Sequence, residues 1–387
     1  MSTRQWDDAL LDGLRNEADP HADEVVSGYF ADLAEGDPGR LMRSLVRHQD
    51  LPPEEVDPFV AKYLAEQPWP EWALPAQLEE GEEFFGRWGS HVFTALYAAS
   101  LPTAYAAAKG VQVLHLTAKL ATDTKRRLNE TAQFHLDVLE PGGLQPGHRG
   151  YDDVRHVRLM HAAVRWLILN DEGVPKTMGT SAPGLYWDNA WGLPVNQEDL
   201  LETLLTFTQI VFEVFDRTGV RYTEDQAAAY LHTWCVVGHL IGIRPDLLPL
   251  DLDDARALMA ASRRRNHART EAGLEMTTAL LSQAGEIVPR RLSRLPASAI
   301  RYYIGDATAD LLDVPPADWT MRLFKPLSAL TRVTTYGKAH NRLRHSVSSR
   351  FGRAMLDLAV KAERSGNRPS FQIPTSLADR WGVKAGR

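Results

Sequence analysis

The run Tyr151-Asp152-Asp153-Val154-Arg155-His156-Val157-Arg158-Leu159-Met160-His161-Ala162-Ala163-Val164-Arg165 reads as the inner part of an amphipathic helix extending from about Asp152 to Leu169. Val154, Val157, His161, Val164 and Ile168 recur at spacings of three and four and form one apolar stripe. His161 interrupts that stripe at its centre, with Arg158 and Arg165 beside it. A lone histidine on such a face is most often a hydrogen-bonded core residue. The preceding helix changes the reading. From about Val111 to Leu139 the same spacing runs Val113, Leu116, Leu120, Thr124, Arg127, Thr131, Phe134, Val138, closed by Pro141-Gly142-Gly143. An arginine and two threonines in mid-stripe require polar company. A short loop, Leu144 to Gly150, joins the two helices and favours antiparallel packing, which brings Arg127, Thr131 and His161 toward one buried space. Imidazole suits the axial position of haem iron, and arginines suit haem propionates. Spacing alone also allows an arginine paired to a core carboxylate and a purely structural histidine.

Outward from this pair, helical periodicity dominates. Short amphipathic segments at Ala22 to Leu33 and Pro53 to Ala65, broken by Leu51-Pro52-Pro53 and Pro68-Trp69-Pro70, form an N-terminal helical collar over residues 1–79. A helix is expected from Glu82 to Ala99, interrupted at Pro102. After the two central helices comes a long loop, Asp171 to Val195, whose Tyr186, Trp187 and Trp191 are placed to cover a substrate entrance. Asn196 is an N-cap with Asp199 in capping-box position, and Leu201, Leu204, Thr208, Val211 and Phe215 form the stripe of the helix that follows. Tyr222 to Ile243 makes another, with Tyr230, Trp234, Val237 and Ile241 on one face. The expected architecture is an all-α, large single-domain multi-helical bundle enclosing a haem pocket, with its core at 80–330 and a basic helical extension at 331–387.

The 387 residues are 44% hydrophobic and 24% charged, ordinary for a chain with a sizeable core. A net charge of −7 gives no global attraction to nucleic acid or to anionic membrane. Cys235 is the one cysteine, so disulfides, CxxCH haem attachment and four-cysteine metal sites are excluded. It also lacks the sequence setting of a thiolate haem ligand. Paired Glu-x-x-His motifs, a phosphate-binding lysine loop, a dinucleotide glycine fingerprint and Gly-x-Ser-x-Gly are all absent. The first residues carry no basic or apolar export signal and no stretch has the length of a membrane span, so a cytoplasmic location is expected.

The run at His161, with Arg127-Leu128-Asn129-Glu130-Thr131 before it, resembles the signature of the MpaB and latex-clearing oxygenases. The similarity continues in Gly192-Leu193-Pro194-Val195-Asn196-Gln197 and in His232-Thr233-Trp234-Cys235-Val236-Val237-Gly238-His239, and covers about Phe84 to Leu330. The resemblance implies one non-covalent haem b, with His161 as proximal iron ligand and Arg127 and Thr131 lining the pocket. Arg158, Arg165 and Trp234 are placed beside the cofactor. It also implies a dioxygen-using enzyme acting on a small apolar, alkene-containing substrate. Two departures separate this chain from the latex-clearing branch, whose members are exported and carry lysine where this chain has Glu130. Glu130 borders the same helical face and is the candidate acid-base residue. A haem or apolar-ligand carrier without turnover, and a peroxidase or peroxygenase with the same ligand, are the alternatives the sequence leaves open.

Overall fold

The computed structural model describes residues 4–32, 58–66, 68–119, 124–170, 187–324 and 331. The basic extension 332–387 and the loop portion 171–186, including Tyr186, lie outside the described residues. The described chain is helical throughout; its single extended pairing is an isolated bridge between Ala107 and His267. In chain order the helices are α1 (Asp8–Leu14), α2 (Pro20–Asp32), α3 (Pro58–Ala65), α4 (Pro75–Ala95), α5 (Leu101–Ala106), α6 (Val111–Lys119), α7 (Thr124–Val138) and α8 (Arg149–Leu169). Then follow α9 (Gln197–Phe207), α10 (Gln209–Thr218), α11 (Glu224–Leu240), α12 (Leu252–Asn266), α13 (Glu271–Ile287), α14 (Leu295–Ile304) and α15 (Asp306–Leu311). No described helix is long and apolar enough to cross a membrane.

α4 and α11 form the most extensive helix pair. Gly81 permits their close crossing, since a Cβ there would lie 2.2 Å from Thr233 Oγ1. Phe84 of α4 fills the seam against Tyr230 of α11 at 4.8 Å between ring centroids and against Phe215 of α10 at 5.8 Å. α7 and α8 form the second major pair. The turn between them is tight because Gly150 has no side chain: a Cβ would stand 2.3 Å from the Asp137 carbonyl oxygen and 2.6 Å from Val138 Cα. α8 therefore begins at Arg149, three residues before the sequence pattern suggests, directly against the end of α7.

Two further expectations are corrected. The helix through Pro102 is not simply interrupted: α4 passes through a π turn at Leu96–Ser100 into α5, with Pro102 in the first turn of α5. Proline offers no N–H to the carbonyl four residues earlier, and the wider turn absorbs the mismatch. The stripe from Leu201 to Phe215 belongs to two helices, because Thr208 sits at φ −119° and ψ −78° between α9 and α10. Its hydroxyl donates to the Leu204 carbonyl at 3.0 Å, a back-bond that bends helices.

The collar is not one layer. Leu11 and Leu14 of α1, with Trp6 before it, join the main core, and Trp6 Nε1 donates to Asp254 Oδ1 at 2.7 Å. α2 and α3 pack instead on the outer face of α8, where Val26, Tyr29, Val60 and Tyr63 meet Leu159, Ala163 and Leu167.

Candidate functional site

The turn end of the α7–α8 hairpin is marked by Asp137 and Asp153, buried and hydrogen-bonded to each other. Farther from the turn, Glu130, Thr131 and Phe134 of α7 and Val157, Met160, His161 and Val164 of α8 all border one cavity of about 320 Å³. Moving back along α7 while moving forward along α8 is the signature of antiparallel packing, and it brings Thr131 and His161 to the same space. α9, α11 and α6 close the cavity with Leu200, Leu204, Phe207, Trp234, Val237, Val113 and Leu114. A largely apolar chamber with a few convergent polar groups is the usual form of a small-molecule site.

His161 borders this chamber while its Nδ1 is buried without a hydrogen-bond partner. Burial, and next the nearby positive charge of Arg165, push its pKa down to about 4, with Asp19 opposing weakly. The imidazole is therefore neutral at pH 7, the form that ligates a metal. Thr131 and Glu130 also line the cavity, Glu130 buried. Arg127 lies on α7, but its side chain is outside the described residues. Trp234 is buried and forms a wall, its ring 5.0 Å from Phe207. Cys235 faces away, donating to the Pro249 carbonyl at 3.7 Å, and burial pushes its thiol up to about 12. Among the described residues no three His, Cys, Asp or Glu side chains gather as a metal centre. A single imidazole suits haem iron, whose equatorial ligands come from the macrocycle.

Arg158 and Arg165 are placed elsewhere than the sequence reading had them. Neither is among the described lining residues. Arg158 grips Asp19 through Nε at 2.6 Å and Nη2 at 2.8 Å. Arg165 donates from Nε to Asp23 Oδ1 at 2.9 Å, and from Nη1 to the carbonyls of Pro194 at 3.0 Å and Val195 at 2.6 Å. Both side chains are long enough to reach away from the stripe, Arg158 to Asp19 just before α2 and Arg165 to Asp23 within it, and each thereby ties the start of α2 to α8. Gly242, at φ +102°, makes room for this clasp: a Cβ there would lie 2.3 Å from Asp19 Oδ2. Gly238 instead accommodates Leu248.

The sequence reading missed the carboxylates that α9 contributes. Asp199 and Glu202 border the cavity. Asp199 is read from sequence as a capping residue, and Asn196 does cap α9, its side chain accepting from Asp199 N at 2.9 Å. Burial nevertheless pushes the Asp199 carboxyl up to about 6, against the pull of Arg15. The available signal was two acids three residues apart on a helix with an apolar stripe.

A helical body folded around a histidine-bearing apolar chamber defines the class. The comparisons specify it: the chain belongs to the family described as ER-bound oxygenase mpaB/B'/Rubber oxygenase, catalytic domain, whose model matches residues 82–347. It is 26% identical over 243 residues to the rubber oxygenase of Streptomyces sp. (strain K30). That match covers 63% of this chain and 57% of the relative, so the chain spans little more than half of that protein's length. The structure of latex clearing protein LCP in the closed state superposes with a TM-score of 0.67 over 93% of this chain and 94% of that chain, at 23% identity, a likeness of fold.

Proposed function

We propose that the chain is a haem b-dependent oxygenase that uses dioxygen on an apolar, alkene-containing substrate. The observation carrying this reading is His161, a neutral imidazole with one orphaned buried nitrogen, bordering an apolar chamber in a chain of an oxygenase family. A buried ring nitrogen without a partner is costly, and coordination to iron would supply one. When bound, haem supplies the iron at which dioxygen is activated.

The chain's own residues would do the rest. His161 would hold the iron through one ring nitrogen. Thr131 and Glu130 line the same cavity, where the hydroxyl would serve as a hydrogen-bond donor to the substrate space and the carboxyl would hold or return a proton. Val157, Leu204, Phe207 and Trp234 exclude water and receive the hydrocarbon. The absorption spectrum of the purified protein tests the cofactor: a Soret band is expected, and its absence after haem supplementation overturns the reading. Dioxygen uptake with an alkene, beside a haem-free preparation, tests turnover. Uptake that is equal in the two preparations argues against a haem oxygenase.

A further inference from the structure

We propose that the substrate is an amphiphile, an apolar chain ending in a hydrogen-bond-donating head, an amine or a hydroxyl, and that this head docks on Glu202. The inference rests on the reading of this cavity as the substrate site.

Glu202 lies on α9, borders the cavity and is 5% exposed. Its Oε2 accepts from Asn266 Nδ2 at 3.3 Å. Its Oε1 meets His267 Nε2 at 3.4 Å in an ion-pair contact that lacks hydrogen-bond geometry. Asn266 Oδ1 is buried and unsatisfied. A buried carboxylate held by so loose a contact, beside an unsatisfied amide oxygen, is unusual for a folded interior.

The charges nearby sharpen the point. Glu198, Asp199 and Glu202 lie together on α9, Glu198 and Glu202 buried, and Arg15 and Arg265 are guanidiniums hydrogen-bonded to Glu198 and Asp199. Arg15 Nη1 donates to Glu198 at 2.9 Å and to Asp199 at 3.1 Å. Arg265 donates from Nε to Glu198 at 3.3 Å and from Nη2 to Asp12 at 2.6 Å. Glu202 is the carboxylate of the set held by an amide and an imidazole, with no guanidinium on it. A buried carboxylate in that position favours a cation or a proton donor.

The remainder of the chamber decides what that donor is attached to. Leu204, Phe207 and Val157 line the same cavity and offer a tail dispersion contacts. Gly110 keeps the space beside the acids open, since a Cβ there would lie 3.1 Å from Asp199 Oδ1. A fatty carboxylate would meet Glu202 and Asp199 as like charges. A plain hydrocarbon would fit the tail region and leave the polar atoms unpaired, the situation in which a hydrogen-bonding site discriminates against an analogue lacking the group.

The test is isothermal titration of the purified full chain with a primary alkylamine, a primary alcohol, a terminal alkene and a fatty carboxylate of one chain length, all below their micelle concentrations. The amine and alcohol are expected to bind at least about tenfold more tightly than the alkene, with the carboxylate weakest. Glu202→Gln should remove most of the amine's advantage while leaving alkene affinity unchanged. Alkene or carboxylate binding as tight as the amine in the wild-type chain overturns the proposal, as does an unchanged order in Glu202→Gln. If that variant does not fold, the wild-type order decides alone. The Soret band of the same sample reports separately on the haem reading, so failure of one is distinguishable from failure of the other.

Discussion

Two histidines on the α7–α8 hairpin look alike by every local criterion and sit in different worlds. Burial pushes both His135 and His161 down to about 4, and each keeps one buried ring nitrogen without a hydrogen bond. His135, however, is fully enclosed. Its Nδ1 lies 2.8 Å from the Thr131 carbonyl on its own helix, so Nδ1 carries the proton and Nε2 is left as a bare lone pair. Phe207 meets its ring edge-on at 4.7 Å and Trp234 at 5.0 Å. Those two aromatics turn their other surfaces to the cavity, so His135 backs the wall of the chamber that His161 faces. A depressed pKa and an orphaned nitrogen thus mark desolvation; access to an open volume is what sets His161 apart from His135.

Replacing each histidine in turn is the sharpest way to break that comparison. His161→Ala should lower haem content, read as Soret absorbance per chain, by at least about tenfold. His135→Phe should retain haem and change unfolding free energy by only about 1–3 kcal/mol in urea titration. Equal haem loss in both variants would erase the distinction.

The next effect is on acid stability. His135 has a folded pKa of about 4 against an ordinary 6.5, so the folded chain binds fewer protons than the unfolded chain between those values. The stability it contributes is present above pH 6.5 and is lost as pH falls through 4. His135→Phe should flatten this acid-side decline by on the order of 3 kcal/mol, measured as unfolding free energy against pH. A slope identical to wild type removes His135 as its source.

The turn end of the same hairpin should behave with opposite sign. Burial, followed by the negative charge of its partner Asp137, pushes Asp153 up to about 8 from 3.8. Gln133 Nε2 donates to both Asp137 oxygens at 2.9 and 2.8 Å, so the pair holds a proton inside a closed polar knot. That contribution is complete below about pH 3.8 and is lost as pH rises through 8. Asp153→Asn keeps a donor to Asp137 and cannot ionise. It should gain about 1–2 kcal/mol relative to wild type on going from neutral to alkaline pH. A constant difference across that range would mean that the pair does not share a proton. The smallest effect is expected for Glu130→Gln: haem content unchanged, turnover reduced about threefold with the acid limb of its pH profile displaced. An unchanged profile would leave Glu130 with a packing role.

Much of the scaffold was legible because apolar periodicity is a local property. The stripe at Val154, Val157, His161 and Val164 and the short connection through Gly150 were enough to place Thr131 and His161 across one chamber. The reach of Arg158 and Arg165 was not legible, since guanidiniums beside a cavity-forming stripe can extend to either side, and Asp19 and Asp23 lie just before and within α2, far back in the chain. Thr208 carries no breaker signal either, and its bend depends on where Leu204 and the neighbouring helices lie.

The sequence by itself determined an all-helical chain, the α7–α8 hairpin and the histidine at its centre, because helix period, capping residues and close-packing glycines act over a few residues. Only the tertiary structure decided which arginines are spent on ion pairs, which histidine meets open space, and that Asp199 and Glu202 border the cavity. Those outcomes depend on distances between segments remote in sequence, where burial and the competition for partners set the energy of each polar group.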